Sequence, residues 1–150
     1  LMQHGVAAAE EEDPSRPLTA AGRAEVEAVA ARAHVLGVRA DRCVHSGKLR
    51  AEQTATILAD ALGATPEARS GLSPSDPVGP VADWLRTEVA TTGGLAVVGH
   101  LPFLDRLASV LVAGDEHAHV VRFRNAGLVA LAETEDGFAV SWVLLPELVD

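Results

Sequence analysis

Apolar positions recur along this chain with two different periods, and the changes of period divide it into elements. Val26, Val29, Ala30, Ala33 and Leu36 fall at helical spacing and predict an amphipathic helix over residues 19–36. Thr19 stands where an N-cap is expected, and Gly37 supplies the stop. "RCVHS" follows, short and apolar, and reads as a buried strand. The helical period returns from Leu49 to Leu62, with Thr54, Ile57, Leu58, Ala61 and Leu62 on one face and Gly63 closing it. A serine- and proline-rich stretch, "SGLSPSDPVGP", is read as a loop leading to a third helix over 81–89. "LAVVG" lies between a Gly-Gly turn and "HLP", which predicts a strand covered on both faces. Pro102 is expected at the first position of a fourth helix that ends near 112.

The tail alternates instead. "GLVALAE" and "FAVSWVLL" flank "TEDG", where Asp136-Gly137 predicts a hairpin turn. Strand, helix, strand, helix, helix, strand, helix, hairpin is the order of an α/β fold. It predicts a single three-layer α/β/α domain over 1–150, with a mainly parallel sheet and a C-terminal antiparallel hairpin. The length of 150 residues suits one domain.

Composition then removes several functions. The chain is 48% apolar, yet no uninterrupted run approaches the roughly 18 residues of a membrane span. Aromatics are 3% and the net charge is −9, which opposes both base stacking and contact with a phosphate backbone. Neither a membrane nor a nucleic acid is expected as a partner. The single cysteine, Cys43, leaves no internal disulfide and no cysteine-rich zinc site, and is read as a core residue. No stretch joins a basic n-region to an apolar h-region, which predicts a cytoplasmic protein. The acidic stretch over residues 10–17, "EEEDPSRP", is read as a solvated loop.

Ligands of parallel sheets gather at the carboxyl ends of the strands. Gln3-His4-Gly5 ends the first strand, Ser46-Gly47-Lys48-Leu49-Arg50 leads from the second into a helix, and His100 ends "LAVVG". Arg50 in a first helical turn opposes the helix dipole unless an anion sits there. Two imidazoles and a guanidinium around an anion suit phosphoryl transfer.

"QHG", "RPLTAAGRAE", "SGKLRAEQTATIL" and "VVGHLP", in that order, resemble the histidine phosphatase (phosphoglycerate mutase-like) superfamily, and within it the SixA-type phosphohistidine phosphatases. The resemblance implies a phosphatase needing no metal or other cofactor. His4 would be the nucleophile, carrying the phosphoryl group as an intermediate. Arg50 would clamp its oxygens, His100 would stabilise their charge as an imidazolium, and Gln3 and Arg16 would line the phosphate pocket. The expected partner is a phosphorylated protein such as a histidine-containing phosphotransfer domain, because a short chain leaves the pocket open. A small phosphorylated substrate is the alternative within the same chemistry.

Three departures from the family pattern stand out. Gln3 replaces the motif arginine, Ser46-Gly47 replaces Ser-Pro, and the acid of the mutase-type members has no evident counterpart except Asp76 in "SPSDP". An amide in place of a guanidinium gives up about 1–2 kcal/mol of oxyanion binding, which predicts reduced activity. It also motivates a competing class, a non-catalytic module that binds phospho-ligands. Of the remaining polar residues, Ser46 is read as the cap of the helix at Leu49 and Lys48 as a surface lysine. His45 is assigned to a strand end, His34 to an exposed helix face, and His117 and His119 to solvent rather than to a metal.

Overall fold

In the computed structural model, which describes residues 1–149, β1 (Met2–Gln3) leads through a loop to α1 (Ala20–Val35). There follow β2 (Arg42–His45), α2 (Leu49–Leu62), β3 (Pro66–Ala68), α3 (Gly79–Glu88), β4 (Leu95–Gly99), α4 (Phe103–Ala113), β5 (Leu128–Thr134) and β6 (Gly137–Leu144). The strands form one six-stranded sheet in the order β3-β2-β4-β1-β5-β6. The first four run parallel, and β5 and β6 are antiparallel additions.

Side-chain alternation divides the sheet between two cores. Met2, Cys43, Ala96, Val98 and Leu128 pack with α1 and α2, whereas Val44, Val97 and Val129 pack with α3 and α4. The three-layer fold follows directly. Alanines at 30, 33, 51, 55 and 59 are buried where α1 meets α2, so small side chains bring the two helices close together. The other layer is filled by larger groups, Phe103, Leu104 and Leu107, all fully buried.

Several local expectations are corrected. β3 has no apolar alternation and opens on proline; it is an edge strand, recognisable only from its pairing with β2. α3 begins two residues before 81, with Pro80 in its first turn. Pro102 is the N-cap of α4 rather than its first helical residue. Thr134 pairs with Gly137, so Glu135 and Asp136 make the hairpin connection and Gly137 opens β6. On α2, Ala51, Ala55 and Ala59 are buried while Ile57 and Ala61 are only half-buried, because the helix faces α1 as well as the sheet.

The register positions the site. Gln3 lies opposite Gly99 and His45 opposite Val98, so residues 4, 100 and 46 leave three adjacent strands at one edge. The chain leaving β1 then runs directly against α1. A Cβ on Gly22 would stand 2.1 Å from the Val6 carbonyl oxygen, and one on Gly5 would stand 2.7 Å from Val26 Cγ2. The Thr19 hydroxyl caps α1 by accepting the Gly22 N–H at 2.9 Å, and Thr19 donates its own N–H to Val6 at 2.9 Å.

Gly22→Ala should therefore lower stability by about 2–3 kcal/mol, since backbone must move to admit the methyl group. Gly37→Ala, at φ +79 but in open space, should cost only about 1 kcal/mol. Urea midpoints with unchanged m-values check both, and equal losses would contradict the close approach.

Candidate active site

His4 is fixed first through its backbone. Its N–H donates to the Gly99 carbonyl at 3.0 Å, and its carbonyl accepts from Asn125 Nδ2 at 2.9 Å. The ring follows. Nδ1 lies 2.7 Å from the Gly5 carbonyl, an acceptor only, so this nitrogen carries the proton and donates it. Nε2 keeps its lone pair and faces Arg50 Nε at 3.3 Å.

Arg50 is the second residue of α2, and Thr54 stands one turn later. The buried Thr54 hydroxyl donates to the Arg50 carbonyl at 2.7 Å and accepts the Gly5 N–H at 3.1 Å. His100 completes the group, its ring centroid 5.0 Å from that of His4 and the two planes tilted by 54°. It is 2% exposed. Its Nε2 lies 2.6 Å from Ser46 Oγ, while its buried Nδ1 has no partner.

The structure thus brings His4, Arg50 and His100 together. Arg16 makes its hydrogen bond to the Ala8 carbonyl at 3.0 Å, yet its charge acts on both imidazoles and on Arg50. Gln3 Oε1 is buried without a partner. Asp76 accepts the Ser73 N–H at 2.9 Å and so holds its own loop; none of its hydrogen bonds reaches the imidazole pair.

Ser46 does not cap α2, as the sequence suggested. The N-cap is Lys48, and the turn at Gly47 (φ +87) carries the Ser46 hydroxyl to His100 instead. Lys48 is exposed as expected but also contributes to the field at His100. Asn125, Thr54 and Gln53, which accepts the Leu18 N–H at 2.8 Å, were not foreseen as supports; all act through backbone groups that no sequence pattern marks.

The other histidines lie where they were expected. His45 is buried at its strand end and accepts the Gly47 N–H, and His34 is exposed. His117 and His119 are exposed, and His119 Nδ1 lies 2.6 Å from Asp105 Oδ2.

Burial holds both imidazoles below the ordinary histidine range. For His4 the hydrogen bond to Gly5 works against this, while Arg50 and Arg16 add to it. For His100, burial, His4, Arg50, Lys48 and Arg16 together push the pKa down to about 3. Burial and Arg16 lower Arg50 as well. Among these cations alone His100 is neutral near pH 7, not the imidazolium expected from the sequence. A tetrahedral dianion placed between them would reverse the Coulomb contribution.

Known proteins share this arrangement of chain. The profile of the histidine phosphatase superfamily (branch 1) matches residues 1–77. An uncharacterized protein of Picosynechococcus sp. is 38% identical over 136 residues, covering 87% of this chain and 82% of the relative. The structure of the protein histidine phosphatase SixA complexed with tungstate superposes with a TM-score of 0.86 at 28% identity, covering 98% of this chain and 96% of that one. The alpha-ribazole phosphatase of Shigella flexneri shares the fold, with a TM-score of 0.70 at 14% identity and coverage of 93% and 92%.

Acid should destabilise the protein through these rings. The unfolded chain gains a proton at each near pH 6.5 and the folded chain does not, so stability falls below that pH and, for His100, continues to fall toward about 3. The slope is at most about 1.4 kcal/mol per pH unit for each ring. Tungstate should move the His100 titration upward, which ring-nitrogen NMR would show; an unmoved titration would place the anion elsewhere.

Proposed function

The chain belongs to the histidine phosphatase superfamily, and from that premise we propose that His4 carries a phosphoryl group from protein phosphohistidine to water. The observation that supports this most is the state of His4: Nδ1 protonated onto Gly5, Nε2 unprotonated, and a guanidinium and a second imidazole beside it. Nε2 attacks phosphorus in line with the leaving nitrogen. The bond to His4 forms as the substrate's P–N bond breaks, and the leaving imidazole takes a proton from solvent. Arg50 swings from Nε2 onto the equatorial oxygens, joined by the first N–H groups of α2. His100 lies on the same side and gains a proton affinity as that charge arrives.

Water then attacks the phosphorus of phosphorylated His4, opposite Nε2. The P–N bond breaks, inorganic phosphate leaves with the proton released by water, and Nε2 recovers its lone pair. The N–P bond of a phosphohistidine is labile and its leaving group readily protonated, so this cycle runs without a carboxylic acid, and Asp76 is given no part in it. A protein substrate is favoured by the likeness to the SixA structure, which is described as a protein histidine phosphatase. A small phosphate ester would be attacked by His4 in the same way, but its P–O bond would break and its leaving oxygen would take a proton from solvent.

Radiolabelled phosphohistidine substrate should leave an acid-labile, base-stable label on the protein. His4→Ala should lose the label and at least about a thousand-fold in turnover. Tight binding with no label in the unaltered chain would instead favour the binding-module reading, which rests on the uncharged Gln3. Gln3→Arg should tighten tungstate binding about ten-fold, because a charge-assisted bond replaces a neutral one. Unchanged affinity would mean that the side chain at position 3 faces away from the anion.

A further inference from the structure

A groove of about 520 Å³ begins at Leu101-Pro102, the residues directly after His100. Its opposite wall is formed by the segment that includes His119, Val121, Arg122 and Phe123. Two residues further on, Asn125 and Ala126 hold the backbone of His4. Both lining segments are therefore close in sequence to residues that form the site or hold its backbone. We propose that this groove receives the residues next to the phosphorylated side chain of a polypeptide substrate, with an acidic residue pairing to Arg122.

The inference rests on the phosphatase reading and adds to it a determinant of substrate choice. Its floor is apolar, with Leu101 exposed although it is large and hydrophobic. The wall is held in shape. His119 adopts a left-handed conformation (φ +49), unusual for any residue but glycine, and its Nδ1 lies 2.6 Å from Asp105 Oδ2. The adjacent Val120 N–H reaches Ser109 Oγ at 3.4 Å.

That pairing decides which polar atoms an occupant can reach. Asp105 Oδ2 is engaged by His119 and Oδ1 is closed off from solvent, so neither oxygen is offered to a ligand. Arg122 is exposed and has no hydrogen bond or ion pair among the described residues, whereas Arg106 and Arg124 nearby are paired with Glu116 and Glu147. An apolar floor beside one unpaired guanidinium is complementary to a segment carrying an apolar and an acidic side chain.

The test compares two phosphohistidine peptides that differ only in one flanking residue, glutamate or lysine, with para-nitrophenyl phosphate as a substrate lacking any flank. The unaltered chain should prefer the glutamate peptide about five-fold in kcat/KM, mainly through KM. Arg122→Glu should erase or invert that preference and leave para-nitrophenyl phosphate turnover unchanged. An identical preference in both proteins overturns the assignment, as does hydrolysis of para-nitrophenyl phosphate with neither peptide accepted, which would point to a small-molecule substrate. Should none of the three be hydrolysed, the phosphatase reading fails separately. Calorimetry of the peptides with His4→Ala, with and without Arg122→Glu, then decides the groove: a charge preference that depends on Arg122 upholds it, and its absence overturns it.

Discussion

The site depends on one buried hydroxyl. Thr54 accepts the N–H of Gly5 and donates to the carbonyl of Arg50, joining the end of β1 to the first turn of α2 inside the core. Without it, the Gly5 N–H would be a buried donor with no partner, a cost of about 1–3 kcal/mol. Gly5 is also the residue whose carbonyl fixes the proton on His4. One side chain thus couples the position of His4, its tautomer and its distance to the Arg50 guanidinium. The glycines at 5 and 22 serve the same end from the other side, by letting α1 press against this backbone.

The electrostatics run against the average of the chain. The protein carries −9 overall, yet the groups acting on His100 are His4, Arg50, Lys48 and Arg16, with no carboxylate among them. Concentrating cations in a half-buried place raises the energy of the free site and lowers the proton affinity of its imidazoles. Both effects favour the same event, the arrival of an anion beside neutral imidazoles. A positively charged, protonated His4 would have no free lone pair, so a field that attracts anions also keeps its Nε2 unprotonated.

Much of this was legible in the sequence because the fold is written in local signals. Thr19, Gly37 and Gly63 mark helix ends with their own conformational chemistry, and "LAVVG" could only be a covered strand. His4, Arg50 and His100 could be grouped because each stands at the carboxyl end of a strand or just beyond it. What escaped depends on pairing across distance. β3 has the composition of a loop and is a strand only through β2. Asn125 is more than a hundred residues from the carbonyl it supports, in a stretch with no periodicity. Ser46 was misassigned because a serine three residues before a helix resembles a cap; its hydroxyl accepts the Lys48 N–H at 3.3 Å, and the turn at Gly47 carries it to His100.

That turn has a further consequence. A proline ring restricts its residue to φ near −65°, while residue 47 here sits at +87. Residue 47 thus occupies a conformation denied to proline, and the connection from β2 to α2 is built for glycine. Proline placed at position 47 alone would break the turn that brings the Ser46 hydroxyl to His100. An exchange would have to transplant the whole connection from β2 to α2, serine included.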